Sequence, residues 1–134
     1  MRQVSQTNLE IVLGYWLDAL RRGDFEAITA RLDPHVRWQG VRPELVCPNR
    51  DAVLDLLPRL GLSDVEAIEL IGAGDKVVLG VRNPELQEIA GVQFHGQVFN
   101  VITLRDGKIV QIEDYTRRGD ALKAAGAVNR GSWR

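Results

Sequence analysis

The residue with the clearest capacity for chemistry is an aspartate on an otherwise apolar strand face. In the C-terminal third of the chain, two runs rich in Val, Ile, Phe and Tyr flank the pair Asp106-Gly107, which is typical of a β-hairpin turn. Because strand side chains alternate between two faces, Asp114 shares its face with Val110 and Ile112. An acid among aliphatic residues must be paired, protonated or used in chemistry. Asp114 is therefore the first candidate for a site residue.

Such an aspartate is suited to general base catalysis. Removal from water raises the pKa of a carboxyl group towards neutrality, where it can abstract a proton. Abstraction next to a carbonyl also needs a donor for the enolate oxygen that forms. Trp38 and Asn100 carry N–H groups that would serve if both side chains face inward. The three residues predict proton transfer on a small, flat, hydrophobic carbonyl compound.

The predicted walls of this pocket are aromatic and aliphatic side chains. If no bulge intervenes, Phe94 and Val98 lie on the same strand face as Asn100. Ile112 neighbours the aspartate on its own strand, and Trp16 projects from the apolar side of the first helix. Tyr15 and Arg82 are further predicted ligand-binding residues. The same residues also suit an ordinary core, so their types alone do not separate a binding pocket from a packed interior.

Two roles without catalysis stay open for Asp114. It could bind a ligand without turnover, or it could only accept hydrogen bonds from Arg82 or a tryptophan in a structural network. No metal site is expected, because His35 and His95 are the only histidines and neither has a partner at ligand spacing. Cys47 is expected to be a buried, inert thiol. No glycine-rich phosphate loop is present, and no cofactor is expected.

The elements that position these residues are helices first and strands afterwards. A capping box of Thr7 and Glu10 predicts where the first helix begins, and Gly23 predicts where it ends. The apolar period then changes from that of a helix to that of a strand. Gly91 and Gly96 would let the sheet curve. The pattern predicts an α+β fold, with a curved, mostly antiparallel sheet wrapped around the N-terminal helices to form a cone with an internal pocket.

The remaining elements are predicted from local start and stop signals. Asp24 caps a short second helix, and Pro34 stops it. Asn49 or Asp51 caps a third helix. Strands are predicted at 35–40, 65–71 and 76–82, with a hinge at 72–75 between the last two, and a terminal helix is predicted at 121–127.

Length and composition bound the classes of function. The 134 residues predict one domain, 1–134, whose last residues, 127–134, form a mobile tail. A net charge of -1 gives no overall attraction to nucleic acid or anionic lipid. No segment reaches the roughly 18 apolar residues of a membrane span, and a single cysteine fits a reducing compartment. The expectation is a cytoplasmic protein with neither a nucleic-acid nor a membrane partner.

Four segments, in their order along the chain, resemble one family. They are LRRGDFEAI at 20–28, HVRW at 35–38, PNRDAV at 48–53 and FNVITLRDGKIVQIEDY at 99–115. Together they resemble the SnoaL-like domains of the nuclear transport factor 2-like superfamily. The resemblance implies a cone-shaped α+β barrel with an internal pocket for a small molecule, commonly a homodimer through the outer face of the sheet.

Steroid-isomerase-like members of this superfamily imply one set of site positions. Their helix tyrosine corresponds to Trp16, with Tyr15 adjacent, and their base corresponds to Gln39. Their second acid falls near Asn100. Because an amide cannot abstract a proton near neutrality, that mechanism is not expected here.

Two other branches of the superfamily retain an acid at Asp114. In epoxide-hydrolase-like members Arg82 would match the arginine, but Pro84 stands where the partner acid belongs. SnoaL-like cyclases carry an aspartate at this position and a histidine where Asn100 stands. The resemblance therefore favours a cofactor-independent isomerase or cyclase over an epoxide hydrolase.

A rival prediction is a non-catalytic module of the same fold that dimerises through its sheet. The outward-facing residues of the closing strands would then form a self-complementary interface. Phe99→Glu would produce monomers under this interpretation. The residues concerned are Gln93, His95, Gln97, Phe99 and Val101.

Overall fold

The computed structural model describes residues 4–59, 65–89 and 91–127, which form an α+β fold. The sheet contains β1 (Leu32–Gln39), β2 (Val46–Cys47), β3 (Ala67–Ala73), β4 (Lys76–Arg82), β7 (Gln97–Arg105) and β8 (Lys108–Tyr115), and a separate hairpin contains β5 (Glu88–Ile89) and β6 (Val92–Gln93). The six strands of the curved sheet are ordered β2-β1-β8-β7-β4-β3. Strands β1 and β8 run parallel, and the other four neighbouring pairs are antiparallel.

The N-terminal helix is continuous but changes its winding in the middle. It comprises α1 (Val4–Val12), a π-helical segment (Leu13–Asp18) and α2 (Ala19–Arg22). The predicted start at Thr7 is wrong, because the helix already begins at Val4. The predicted end is confirmed: Gly23 adopts φ 72°, and its N–H points to the carbonyls of the last turn.

Side-chain caps begin the next two helices. Helix α3 (Phe25–Arg31) starts after Asp24, whose Oδ1 accepts a hydrogen bond from the Ala27 N–H at 3.2 Å. Helix α4 (Arg50–Leu56) starts after Asn49, whose Oδ1 accepts from the Ala52 N–H at 3.0 Å. The alternative cap for α4, Asp51, lies inside its first turn. A 3₁₀ turn (Leu57–Arg59) follows α4.

Strand β1 begins earlier than the sequence predicts. Helix α3 already ends at Arg31, so Pro34 lies inside the strand and does not stop the helix. The register with β8 is interrupted between Leu32 and Arg37. Proline has no N–H to donate, and this irregular stretch accommodates it. Beyond the interruption, Trp38 lies on the buried face, as predicted.

The closing hairpin follows the prediction except for one residue. Asp106 and Gly107 adopt φ of 53° and 78°, as the two central residues of a tight hairpin turn require. A bulge then shifts the register between β7 and β8. Ile109 consequently packs with Ile112 in the core, and Val110 lies outside it. The assignment of Val110 to the Asp114 face was therefore wrong.

The predicted long strand from Gly91 is wrong as well. Strand β7 begins only at Gln97, because His95 and Gly96 adopt positive φ values of 56° and 80° and form a turn. The Gln97 N–H bonds to the Phe94 carbonyl across this turn at 3.2 Å. Phe94 therefore belongs to a loop and not to the strand of Asn100.

Apolar side chains pack on both faces of the sheet. The larger cluster lies between the helices and the inner face, and it includes Trp16, Leu17, Trp38, Leu79, Ile102 and Ile112. The smaller cluster lies on the outer face, where α5 (Arg118–Ala125) packs Ala121, Leu122 and Ala125 against Val78, Phe99 and Val101. Arg118 joins α5 to β3 through two hydrogen bonds of 2.8 Å to the Glu69 carboxylate.

This arrangement corrects the predicted dimer surface. Phe99 and Val101 are completely buried within the chain, because α5 supplies their apolar partners. Helix α5 begins at Arg118, three residues before the predicted start. The predicted tail lies, apart from Ala127, outside the described residues. In the described parts of the chain, no helix is long and apolar enough to cross a membrane.

Candidate functional site

The side chains of Asp114, Trp38 and Asn100 meet on the inner face of the sheet. The Trp38 Nε1–H donates to Asp114 Oδ1 at 2.8 Å, and the Asn100 Nδ2–H donates to the same oxygen at 2.6 Å. The three residues that the sequence selects are thus in direct contact. Both N–H groups point at the carboxylate, however, and not at a position for a ligand oxygen.

Strand register brings these residues together. Asn100 on β7 lies directly opposite Asp114 on β8. Trp38 on β1 is the neighbour of Ile112, which stands two residues before the aspartate and so projects from the same face. The aspartate is therefore reached from both neighbouring strands.

The two carboxylate oxygens differ in their surroundings. Oδ1 accepts both hydrogen bonds, and Oδ2 accepts none from the described part of the chain. In that part no buried side-chain nitrogen or oxygen lacks a hydrogen-bond partner. Oδ2 therefore has open surface, and it is the oxygen available to a ligand.

Burial dominates the ionisation of the aspartate. Desolvation raises the pKa of Asp114 from 3.8 to about 6, and the hydrogen bonds from Trp38 and Asn100 oppose this by stabilising the charged form. At neutral pH the carboxyl is mostly ionised, yet its pKa is close enough to neutrality for an effective general base.

Trp16 packs against Trp38, the tryptophan that donates to Asp114. Its ring packs edge-on against the Trp38 ring, with centroids 5.5 Å apart and planes inclined by 68°. Trp16 lies in the π-helical segment, where Trp16 and Leu17 are both buried although they are consecutive. The predicted wall residue Trp16 thus contacts the tryptophan that holds Asp114, and it does not line the cavities beside the carboxyl.

An apolar cavity of about 390 Å³ lies on one side of Asp114. Phe94 contributes to its wall, as predicted, although it does so from a loop. Sequence reasoning missed most of the other walls, which come from the loop after β1, from β2 and from α4. The residues that line the cavity are Trp38, Gly40, Val41, Glu44, Leu45, Val46, Cys47, Leu56, Phe94 and Asp114.

A more polar cavity of about 460 Å³ also includes Asp114 in its lining, but Glu113 and Tyr115 reach it from the outer, α5 side of the sheet, opposite the Asp114 carboxyl. It shares Gly40, Val41 and Asp114 with the apolar cavity. Its other walls come from the ends of β1 and β8, the loop after β1 and the start of α5. These residues are Gln39, Pro43, Glu113, Tyr115, Thr116 and Asp120.

The loop between the cavities, residues 40–45, is folded tightly onto itself. The Gly40 N–H bonds to the Leu45 carbonyl at 2.6 Å, and a β-carbon on Gly40 would lie only 2.8 Å from the Leu45 Cβ. Glycine is therefore required at this position. The Gln39 Nε2 lies within 3.4 Å of four carbonyl oxygens at positions 40–45, the nearest being that of Arg42 at 2.9 Å. In the sequence, Pro43 and Pro48 are the residues that indicate a loop here.

Cys47 lines the apolar cavity and is only half-buried. Desolvation raises the pKa of its thiol, and the negative charges of Asp114 and Asp55 raise it further. A thiol that holds its proton is a poor nucleophile. Cys47 is therefore less buried than the sequence predicts. The raised pKa of its thiol gives a physical reason for the predicted low reactivity.

Three predicted ligand-binding residues lie elsewhere. Tyr15 is 43% exposed on the helix surface, with the Arg31 guanidinium 4.5 Å from its ring centroid. Val98 packs against the inner core, and Arg82 is half-buried at the end of β4. The described walls of the two cavities include none of these three. Ile112, which was also predicted as a wall residue, is fully buried in the core.

The described residues offer no ready-made metal centre, since no group of three or more His, Cys, Asp or Glu residues among them is placed to bind an ion. The polar groups that face the cavities suit an organic ligand. They comprise carboxylates, an amide and hydroxyls set beside an apolar surface.

Comparisons with known proteins agree with this architecture. The family model described as SnoaL-like domain matches residues 13–112. No curated protein sequence matches the chain significantly.

Several solved structures share the fold. An LEH-like epoxide hydrolase of Mycobacterium tuberculosis superimposes with a TM-score of 0.61 and 23% identity, covering 93% of this chain and 89% of the other. An NTF2-like protein of Burkholderia xenovorans has a TM-score of 0.61 and 20% identity, with 90% and 96% covered. A candidate polyketide cyclase of Sinorhizobium meliloti has a TM-score of 0.59 and 17% identity, with 78% and 93% covered. At these identities the likeness shows the fold alone.

Proposed function

The chain belongs to the SnoaL-like domain family, and on that basis we propose that it binds a small hydrophobic carbonyl compound and transfers a proton at the carbon next to the carbonyl. The observation that carries this proposal is the Asp114 carboxyl in the wall of an apolar cavity, with one carboxylate oxygen held by two donors and the other open. Such a reaction is that of a cofactor-independent isomerase or cyclase. It also fits the activity named for the structurally similar candidate polyketide cyclase.

Asp114 Oδ2 is the proposed base. Trp38 and Asn100 fix Oδ1, so the carboxylate has one orientation when a substrate arrives. Apolar walls raise the pKa of the carboxyl to about 6 and make it a stronger base than an aspartate in water. Both features serve proton abstraction.

Trp38 cannot donate to the enolate oxygen as the sequence predicts, because its N–H is already used. An indole has a single N–H, and Trp38 gives it to Asp114. Trp38 is therefore a positioning residue. An amide nitrogen carries two hydrogens, and Asn100 uses one of them on Asp114. Its second N–H is the proposed donor to the enolate oxygen. Asn100 is 8% exposed and stands behind the described walls of both cavities, so this role requires the ligand oxygen to reach past Asp114.

Solvent deuterium exchange tests the proposal directly. We expect the protein to catalyse deuterium incorporation into members of a panel of flat β-dicarbonyl compounds and cyclic ketones, measured by mass spectrometry. Asp114→Asn keeps an oxygen to accept from Trp38 and Asn100 but removes the base, so exchange should fall by at least about 100-fold. Asp106→Asn, in the exposed hairpin turn, is the matched control and should exchange like the wild type.

Two results would contradict the proposal. Unchanged exchange in Asp114→Asn would mean that another group is the base. Absence of exchange across a panel whose members bind the folded protein would favour a second function, ligand binding without turnover, because a held carboxylate beside an apolar cavity also suits simple recognition.

A further inference from the structure

The loop at residues 40–45 forms one wall of the apolar cavity. Val41 and Leu45 line the cavity from this loop and are only half-buried, and Val46, which follows the loop, is 37% exposed. Apolar side chains that are left open beside a cavity are those that a hydrophobic ligand would cover. The position of the loop therefore sets how much space a ligand has beside Asp114.

Gln39 holds this loop from the other face of strand β1. Because strand side chains alternate, the Gln39 side chain projects from the face opposite to Trp38, which lines the apolar cavity. The Gln39 Nε2 donates to the Arg42 carbonyl at 2.9 Å and lies within 3.4 Å of three other carbonyls of the loop. An amide nitrogen has two hydrogens, so the four oxygens share them. One side chain thus reaches the beginning, the middle and the end of the loop.

Backbone hydrogen bonds close the loop upon itself. The Gly40 N–H donates to the Leu45 carbonyl at 2.6 Å, and the Leu45 N–H donates to the Arg42 carbonyl at 3.0 Å. Both bonds join residues of the loop to each other, and Pro43 has no N–H to add a third. The Gln39 amide adds the connection from the loop to a side chain of β1.

The far side of the loop meets the hairpin of β5 and β6. A β-carbon on Gly91, at the turn of this hairpin, would lie 3.1 Å from the Arg42 Nη2, so the guanidinium packs directly on the turn. Phe94, which follows β6, lines the same apolar cavity. Gln39 holds the carbonyl of Arg42, and the guanidinium of Arg42 contacts the hairpin. The two segments that flank the cavity therefore meet through this arginine.

From these contacts we propose that Gln39 is a positioning residue of the ligand site: its amide fixes the 40–45 loop, and the loop in this place limits the size of the ligand that the apolar cavity accepts. A ligand that is too large has to push the loop outward and separate the amide from the carbonyls. A ligand that fits meets a wall that is already ordered, which favours its binding. The inference rests on the proposed ligand-binding function of the cavity and adds the residue that controls ligand size.

Affinities for a smaller and a larger ketone test this role. The probes are 2-acetylnaphthalene and 1-acetylpyrene, which carry the same acetyl group on ring systems of different size, and equilibrium dialysis gives their dissociation constants. Gln39→Met keeps the length of the side chain and removes its donors. We expect the ratio of the two constants, larger ketone over smaller, to fall by about tenfold, which corresponds to one net hydrogen bond. Gln39→Glu, which has no donor when ionised, should lower the ratio as well.

Hydrogen exchange reports the loop itself. The Gly40 and Leu45 amides, which close the loop, should exchange about tenfold faster in Gln39→Met when followed by NMR. The amide of Ile102, in the middle of β7, should exchange as in the wild type, because the sheet is not altered. Equally fast exchange at all three amides would indicate a general loss of stability and would contradict a local role of Gln39.

Gln87→Met is the matched control. Gln87 is exposed and also donates to a backbone carbonyl, that of Pro84 at 2.9 Å. This variant should keep the wild-type ratio of affinities. An unchanged ratio in both Gln39 variants, with at least one ketone bound, would overturn the role of Gln39 and leave the proposed ligand site in place. Failure of both ketones to bind the folded wild type and its variants would overturn the proposed site together with this inference.

Discussion

At the scale of single residues, the site depends on how one carboxyl group is solvated. Asp114 has two donors on Oδ1 and none from the described chain on Oδ2. The donors limit the rise in its pKa but do not cancel the effect of burial. The folded protein therefore retains a carboxylate whose charged form is destabilised by burial.

This cost predicts a dependence of stability on pH. Since the pKa of Asp114 is about 6 in the folded protein and 3.8 ordinarily, the folded state binds the proton more tightly. The proton on Asp114 therefore stabilises the folded state. This stabilisation is complete below pH 3.8 and is lost as the pH rises through 6. The amide in Asp114→Asn does not titrate, so its stability does not fall in this way. The unfolding free energy of the variant relative to that of the wild type should therefore increase by on the order of 2 kcal/mol from pH 4 to pH 8. Urea unfolding at both pH values measures the gain.

Asp106→Asn, which changes an exposed carboxyl, provides the control for this comparison. A constant difference in unfolding free energy between Asp114→Asn and the wild type at both pH values would show that burial does not raise the pKa of Asp114.

At the scale of elements, the site is assembled by three strands and a change of helical winding. Strands β1, β7 and β8 supply Trp38, Asn100 and Asp114. The π-helical segment turns Trp16 towards the sheet, where it packs on the Trp38 ring. Such segments inside α-helices often occur at functional sites, and here the segment supports the indole that holds the carboxylate.

Weakening this support should change the ionisation of the aspartate. Trp16→Phe leaves a smaller ring against Trp38, so the indole should hold the carboxylate less firmly and the pKa of Asp114 should rise further. The carbon chemical shift of the Asp114 carboxyl, followed by NMR against pH, reports this pKa without any assay of function. Trp38→Phe, which removes the donor altogether, should raise the pKa more.

Val78→Ala is the matched control, because Val78 belongs to the outer cluster under α5. It should lower stability by roughly 1–3 kcal/mol but leave the Asp114 titration in place. An unchanged titration in Trp16→Phe would limit Trp16 to core packing.

At the scale of the whole molecule, the sheet is covered on both faces within one chain. Helix α5 occupies the part of the outer face that the sequence assigned to a dimer, and the Arg118–Glu69 pair joins α5 to β3. That pair is largely removed from solvent, with 18% and 11% of the two side chains exposed. A homodimer stays a prediction, but its interface has to use other residues than Phe99 and Val101.

This packing changes the result expected for Phe99→Glu. Phe99→Glu would place a charge beneath α5, and we expect a loss of more than about 3 kcal/mol of stability rather than a change from dimer to monomer. Urea unfolding and sedimentation velocity together distinguish the two effects. His95→Glu, at an exposed turn, is the control for the added charge. A stable Phe99→Glu protein that has become monomeric would restore the outer face as the interface.

The sequence by itself determined the features that depend on neighbouring residues. Side-chain alternation identified Asp114 as an acid on an apolar face, and the Asp106-Gly107 pair located the hairpin that places β7 beside β8. Glycine at 23 and the cap at Asp24 located helix ends. These signals act through backbone dihedrals and hydrogen bonds over a few residues, so a single sequence contains them.

Tertiary structure alone decided what the acid contacts and which surfaces are open. Trp38 is 76 positions away from Asp114 in the chain, and only the parallel pairing of β1 with β8 brings its N–H to the carboxylate. A turn at 95–96 moved Phe94 off its predicted strand, while α5 buried Phe99. Such outcomes depend on register and packing between distant segments. No local pattern of residues encodes them, because the competing arrangements differ only in contacts made after folding.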